Sequence, residues 1–380
     1  MPRNCDLVVV GAGAIGSAIA WRAAQRGLSV TLIERAQPGR AATWAAAGML
    51  SPLGETRRHP HFLQLAQASL EHYPAFLGEL HEATGTRIEY GTPGKLEVAL
   101  NETQLASLHA GFAGTSAELL SSTAAQALEP ALAPTVQGAA LLRADAYVDN
   151  RILGETLALA AARSGVRVLT GTIAARIESS GSSARPHVSG VSLGSGERIA
   201  CPTVVLACGA WSAKLAGIPR ELPVFPVRGQ MVALRTDQPL FQRMLHSARC
   251  YLIARASGRV LVGATVEYAG FDPRTTTRGI EELLAGAQEL VPALSEAQVV
   301  ELWTGFRPGT PDELPILGPE PELPGLVYAT GHFRNGILLA PITASLIAAI
   351  AAGDQPEFPL STFSAERFVD ERSNPATTSR

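Results

Sequence analysis

The 380-residue chain has almost no lysine: Lys95 and Lys214 stand against 29 arginines, a skew we read as coding bias rather than function. Cysteine is scarce too. Cys5, Cys201, Cys208 and Cys250 form no CxxC pair and have no His at metal-ligand spacing, so neither a disulfide framework nor a bound metal is expected. His59 and His61 are placed on a loop, where their spacing alone makes no metal site, and Arg57-Arg58 on a solvated turn. No apolar run reaches the roughly 18 residues that a membrane span needs. The nearest, Gly336 to Gly353, fits a buried helix better. The N-terminus lacks the cationic head, apolar run and cleavage site of a signal peptide, so a cytoplasmic, reduced protein is expected. With 17% charged residues and a net charge of −3, nothing draws the chain to nucleic acid.

What is present is a globular, core-rich composition, 46% apolar, in a length that suits two domains. The opening segment changes period in the order of a βαβ unit. Asp6 to Val10 is a continuous apolar strand of the buried parallel type. From Ala14 to Arg26, the residues Ile15, Ala18, Ile19 and Ala23 share one helical face, opposite Arg22, Gln25 and Arg26. Gly27 suits the position after a helix end, and Leu28 to Ile33 is the second strand. Downstream, Asn150 to Arg163 reads as a helix with Asn150 as N-cap and Gly165 at its end. Strands are predicted at Val166 to Leu169, Ile173 to Ile177 and Thr203 to Ala207, and the Ser/Gly-rich stretch from Gly181 to Gly196 reads as hairpin turns. Between Pro223 and Gly270 the texture becomes antiparallel, with short alternating segments at Gln230 to Arg235 and Tyr251 to Arg255. Parallel texture returns at Leu326 to Ala329, before a helix from Gly336. The fold class is therefore α/β (α+β overall), a parallel-sheet domain interrupted by an antiparallel one.

Gly11-Ala12-Gly13-Ala14-Ile15-Gly16 follows the first strand and opens the first helix. The first glycine makes the tight turn, the second lets backbone approach a pyrophosphate, and the third allows close helix–strand packing. The helix start offers N–H groups and a positive dipole to phosphates. Glu34 ends the second strand 18 residues after Gly16, where a carboxylate can accept from ribose hydroxyls and disfavours a 2′-phosphate. Strand, glycines, helix, strand and acid together mark an adenine-dinucleotide site. They do not separate FAD from NAD.

The small-residue run from Gly39 to Pro52 (Gly-Arg-Ala-Ala-Thr-Trp-Ala-Ala-Ala-Gly-Met-Leu-Ser-Pro) would let backbone lie against a planar cofactor. It resembles the segment beside the flavin in the D-amino-acid oxidase family, most closely its glycine oxidases of thiamine biosynthesis. Three more stretches match that family in order. Val204 to Ser212 resembles its second dinucleotide-contact motif, with Cys208 where Thr is commoner. Gly305-Phe306-Arg307-Pro308-Gly309-Thr310-Pro311-Asp312 is similar to the segment of its carboxylate-binding arginine. Gly331-His332-Phe333-Arg334-Asn335-Gly336-Ile337 looks like its C-terminal flavin motif. The similarity runs from about residue 6 to 352.

The resemblance implies a Rossmann-type FAD-binding domain of residues 1–84, 143–219 and 303–372. An antiparallel-sheet substrate-binding domain, 85–142 and 220–302, interrupts it, and 373–380 form a flexible tail. FAD would contact Gly11, Gly13, Ala14, Ile15, Gly16, Glu34 and Arg35. It would pass Thr43, Trp44, Ala46, Ala47, Gly48 and Met49, then Cys208, Gly209 and Trp211. Its last contacts would be Arg307, His332, Arg334, Asn335, Gly336 and Ile337. The Arg307 segment lacks the cysteine by which sarcosine oxidases tether flavin, so attachment would be non-covalent. Arg307 would anchor the substrate carboxylate through its rigid fork. Arg334 would support it at the mouth, and the Tyr251 hydroxyl would reach the same carboxylate. Met49 and Val266 would bound the small substrate, Val266 standing where some glycine oxidases carry Met. The helix from Gly336 would aim its dipole at the reduced flavin.

The activity implied is oxidation of glycine, sarcosine or small D-amino acids, with oxygen as acceptor and release of an imine and hydrogen peroxide. A homotetramer is implied too, with no nucleic-acid or membrane partner. A dehydrogenase of the same fold, passing electrons to another acceptor, is the alternative reading.

Overall fold

The computed structural model describes residues 3–56, 59–182 and 184–368, so the Arg57-Arg58 turn and the tail at 373–380 lie outside the described residues. Among the described residues no helix is long and apolar enough to cross a membrane.

Continuous apolar strands build the first sheet. Its six strands lie in the order Arg167–Leu169, Val30–Ile33, Leu7–Val10, Thr203–Leu206, Leu326–Thr330 and Ile316–Pro319. All neighbours are parallel except the last pair, Ile316–Pro319 with Leu326–Thr330. Leu7–Val10, Val30–Ile33 and Leu326–Thr330 are buried throughout, as a sheet covered on both faces requires. On one face the helix Ala14–Gln25 packs against the helices Asn150–Arg163 and Ala340–Ala351, around Trp21, Leu157 and Ile347. On the other, Val8, Val10, Val204 and Leu206 meet Ile177, Val188 and Val191. Those three belong to a four-stranded sheet of Arg3–Asn4, Arg198–Ala200, Arg185–Leu193 and Ala174–Ser182.

A second large sheet has eight strands, in the order Gln298–Gly309, Phe225–Arg235, Arg259–Gly263, Tyr251–Ala254, Met244–His246, Lys95–Ala99, Gly138–Leu142 and Glu118–Ser121. Its two-residue period sorts the side chains. Val232, Leu234, Val260 and Val262 face the helix Thr277–Leu290 through Leu283 and Ala287, whereas Met231, Ala233 and Trp303 pack on Ala45 and Ala47 of the small-residue run. A three-stranded sheet of Met49–Leu50, Ala146–Val148 and Tyr90–Gly91 continues from that run.

Four local expectations need correction. The Gly181 to Gly196 stretch is mostly strand, because Ala174–Ser182 and Arg185–Leu193 pair with register shifts that accommodate their glycines. The N-cap of Asn150–Arg163 is Asp149, whose carboxylate accepts from Arg151 N and Ile152 N at 3.0 Å each. Asn150 turns inward. His61 lies in the 25-residue helix Pro60–Thr84, with His59 at its N-cap, rather than on a loop. The helix expected from Gly336 begins at Ala340. Pro341 explains the delay: with no N–H it fits a first turn but would break a helix begun at Gly336. Residues 336–339 form a turn instead, in which Leu339 N donates to Asn335 O at 2.8 Å.

Candidate active site

The carboxyl ends of Leu7–Val10, Val30–Ile33, Thr203–Leu206 and Leu326–Thr330 open on one cavity of about 380 Å³. Such a strand-end crevice is where open α/β sheets hold nucleotides, and the size suits a cofactor pocket. Gly11 takes φ +101°, and a Cβ on Gly16 would stand 1.8 Å from the Gly11 carbonyl oxygen, so the turn closes only with glycine at both. Gly11, Gly13, Ala14 and Ile15 line the cavity. Gly16 does not: it faces Gly11 and serves packing rather than contact.

The helix that opens at Ala14 has no side-chain cap of its own at Gly13; instead the Thr43 hydroxyl accepts from Ala14 N at 2.9 Å. Glu34 holds the turn from the second strand. Its Oε2 accepts from Ala12 N at 2.9 Å and its Oε1 from Ala36 N at 3.0 Å. A carboxylate has about four lone-pair sites, so capacity remains for ribose hydroxyls. Beyond it the Arg35 guanidinium lies 3.7 Å from the centre of the Trp211 ring, which stacks on Phe271 at 4.9 Å. Burial pushes the Cys208 thiol up to about 12, and its Sγ donates to Val10 O at 3.4 Å. It is a small, protonated wall residue.

Thr43, Ala46, Ala47, Gly48 and Met49 line the cavity as expected, but Trp44 does not. Its ring is held outside, 3.8 Å beneath the Arg151 guanidinium and edge-on to Trp303 at 6.2 Å. The bidentate Arg151–Glu301 pair fixes that stack. Gly209 lines the wall, as do His332, Arg334, Asn335, Gly336 and Ile337. His332 is buried and neutral, its pKa lowered by burial to about 3, with Nε2 at 3.2 Å from Thr343 Oγ1. The long helix Pro60–Thr84 braces this turn from behind: Tyr73 donates to Ile337 O at 2.5 Å and Ser69 to Leu338 O at 2.6 Å.

The same cavity reaches the inner face of the eight-stranded sheet. Arg307 and Tyr251 lie there on separate strands, Gln298–Gly309 and Tyr251–Ala254. Arg307 Nη1 donates to Thr265 O at 3.0 Å and Arg228 O at 3.4 Å, which ties one end of the guanidinium to backbone. Burial lowers its pKa, opposed by the neighbouring Tyr251. Burial raises the Tyr251 phenol to about 12, so it is a hydrogen-bond donor at neutral pH; its hydroxyl lies 3.3 Å from Met231 Sδ. Arg334 stands at the mouth with Nη1 3.7 Å from the Glu55 carboxylate.

Val266 is not part of this wall. It is 47% exposed and points outward from the segment after Arg259–Gly263, so Met231 and Met49 bound the cavity instead. Sequence reading missed Gly229, Met231 and Glu55. The two-residue period of the Phe225–Arg235 strand does place Gly229 and Met231 on one face; Glu55 carries no local signal. The turn without room for a Cβ, the helix start without its own side-chain cap, the strand-end acid and the wall of alanine and glycine together fit an FAD.

Residues 6–350 match the DAO family model, described as FAD dependent oxidoreductase. A glycine oxidase of Geobacillus kaustophilus is 35% identical over 377 residues, 97% of this chain and 98% of that protein. A crystal structure of glycine oxidase from that species superposes with a TM-score of 0.91 at 35% identity, covering 96% of this chain and 99% of the other. A glycine oxidase of Pseudomonas aeruginosa is 36% identical over 92% of this chain and 95% of its own length. The bifunctional protein ThiO/ThiG of Synechocystis is 38% identical across all of this chain, which spans 56% of that protein.

Proposed function

The chain belongs to the DAO family of FAD-dependent oxidoreductases, and from that premise we propose that it is an amino-acid oxidase for glycine and small relatives such as sarcosine and small D-amino acids. The products are an imine, which water hydrolyses to glyoxylate and ammonia when glycine is the substrate, and hydrogen peroxide from oxygen. The proposed setting is the thiazole branch of thiamine biosynthesis. One observation carries the reading: a desolvated arginine and a protonated tyrosine share a cavity with a dinucleotide turn.

Gly11, Gly13, Ala14 and Ile15, Glu34 and Arg35, Thr43 and Ala45 to Met49, Cys208 to Trp211 and the 332–337 turn would hold FAD, without a covalent bond. Bound there, the flavin supplies a two-electron acceptor for hydride from the substrate Cα. The chain's own residues do the rest. Arg307 takes the substrate carboxylate by charge-assisted hydrogen bonds, strengthened by desolvation. Tyr251 donates to the same carboxylate, and Arg334 adds charge at the mouth, balanced by Glu55 between turnovers. Met49 and Met231 limit the room beside the Cα and keep the site dry.

The proposed domains keep the bounds 1–84, 143–219 and 303–372 against 85–142 and 220–302; the six-stranded sheet lies wholly in the first, and the eight-stranded sheet in the second except that its edge strand Gln298–Gly309 crosses from one to the other. A cytoplasmic homotetramer is part of the same proposal. Anaerobic glycine added to the purified yellow protein should bleach its visible absorbance, and an unaltered spectrum would count against the reading. Arg307→Ala should raise KM for amino acids steeply; an unchanged KM would remove its role.

A further inference from the structure

In the 43–48 run, four backbone carbonyls accept hydrogen bonds from side chains of other segments. Asn150 Nδ2 donates to Thr43 O at 2.8 Å and Trp44 O at 3.2 Å, and Arg151 Nε reaches Trp44 O at 3.4 Å. Trp303 Nε1 donates to Ala45 O at 3.0 Å. Arg255 Nη2 donates to Ala47 O at 2.5 Å and to Val148 O at 3.0 Å. The helix Ala42–Ala45 is so short that only the Ala42 carbonyl receives a helical hydrogen bond, from Ala46 N at 3.0 Å; those of Thr43, Trp44 and Ala45 are left without one, and water would serve them equally well on a surface. Here an amide, an indole and two guanidinium groups take that role, and the amide of Asn150 is buried, 3% exposed.

The opposite side of the run faces the cavity through Thr43, Ala45, Ala46, Ala47 and Gly48. A trans peptide sets its C=O and the following N–H in opposite directions. With the Ala47 carbonyl fixed on Arg255, the Gly48 N–H of the same peptide is directed away from Arg255, and Gly48 itself lines the cavity.

We infer that Asn150 and Arg255 are positioning residues for the flavin: by holding the carbonyls of Thr43, Trp44 and Ala47 from outside, they fix the backbone that meets the cofactor. The inference rests on the FAD reading above. It gives these residues a function in tuning the cofactor as well as in packing, since an N–H held against a flavin stabilises the negative charge gained on reduction.

The test uses full-length protein with Asn150→Asp and Arg255→Met. Asn150→Asp keeps the size but turns an acceptor toward two carbonyls. FAD affinity is read by flavin fluorescence on reconstitution of apoprotein, and the reduction potential by dye equilibration at saturating FAD. Each variant should bind FAD about tenfold more weakly, the loss of one or two buried hydrogen bonds, and its flavin potential should fall. Folded variants with wild-type affinity and potential would overturn the inference while leaving the FAD reading intact. Wild-type protein that takes up no FAD would overturn both. Should Arg255→Met fail to fold, Asn150→Asp decides alone.

Discussion

Gly229 lies directly beneath the Arg307 guanidinium: a Cβ at residue 229 would stand 2.3 Å from Nη1 and 2.6 Å from the carbon that bears it. The pairing of Phe225–Arg235 with Gln298–Gly309 sets Arg307 opposite Val227, so Gly229 is its diagonal neighbour on one face. Gly229→Ala should therefore displace the guanidinium without touching the dinucleotide turn. The expected result is a drop of about 10²-fold in kcat/KM, carried mainly by KM, with flavin content unchanged; misplacement by about an ångström has costs of that order. Steady-state kinetics on glycine against flavin absorbance checks it.

Val266→Met addresses the wall of the substrate cavity. Because Val266 is 47% exposed and outside that wall, the larger side chain should leave KM for glycine within about twofold of wild type, as for surface changes generally. A tighter preference for the smallest substrates would show that Val266 reaches the cavity after all. Met231→Leu is the informative companion, since Met231 does line it.

The two lysines occupy opposite situations. Lys214 is exposed, whereas Lys95 is 1% exposed and donates to Glu97 at 2.8 Å and to Ser51 Oγ at 2.6 Å, with Asp145 at 3.4 Å. Glu97 in turn meets His246 Nδ1 at 2.6 Å, and the His246 ring stacks on Tyr251 at 6.4 Å. Lys95→Met removes the buried cation that Glu97 and Asp145 share and should cost about 3–5 kcal/mol in urea unfolding. Lys214→Met should stay within about 0.5 kcal/mol. Burial alone would raise the Glu97 carboxyl, but Lys95 and His246 hold it below its ordinary value of 4.5. Its stabilisation is complete above that pH and is lost as the pH falls further, so Glu97→Gln should flatten the acid limb of stability.

Cys5 and Cys201 give a titration that can be read chemically. A hydrogen bond from the Cys201 thiol holds the Cys5 thiol below the ordinary thiol value, whereas burial raises Cys208 to about 12 and Cys250 to about 11. Thiolate reacts and thiol does not, so the rate of Cys5 alkylation should rise with pH through a midpoint below the ordinary thiol value. Cys201→Ala removes the donor and should move that midpoint up toward the ordinary thiol value. Peptide mass mapping after timed iodoacetamide exposure distinguishes the four sites, and equal labelling of Cys5 and Cys250 at neutral pH would contradict the assignment.

The dinucleotide turn was legible in the sequence because its determinants are local. Gly11, Gly16 and Glu34 lie within one βαβ unit, and each has a steric or hydrogen-bonding reason that survives in isolation. Arg307 was legible only as part of a family motif. Gly229 and Met231 reach the site through strand pairing, so nothing beside them in the chain announces their neighbours. Trp44 faces outward because Arg151 and Glu301, from two distant segments, capture its ring. The helix Pro60–Thr84 carries Pro74 in its interior, which local rules read as a break, while packing against Ala340–Ala351 and Asn150–Arg163 sustains it.

Glu34 does two jobs with one carboxylate. The oxygens that would meet a ribose also fasten Ala12 N, inside the glycine turn, and Ala36 N beyond it. Nucleotide preference in this chain is therefore not a detachable module. Exchanging the acid for a neutral or basic residue, the usual first move in redesigning a dinucleotide enzyme toward a phosphorylated ribose, would loosen the very loop that receives the pyrophosphate, and a successful redesign must supply a new acceptor for the Ala12 amide at the same time.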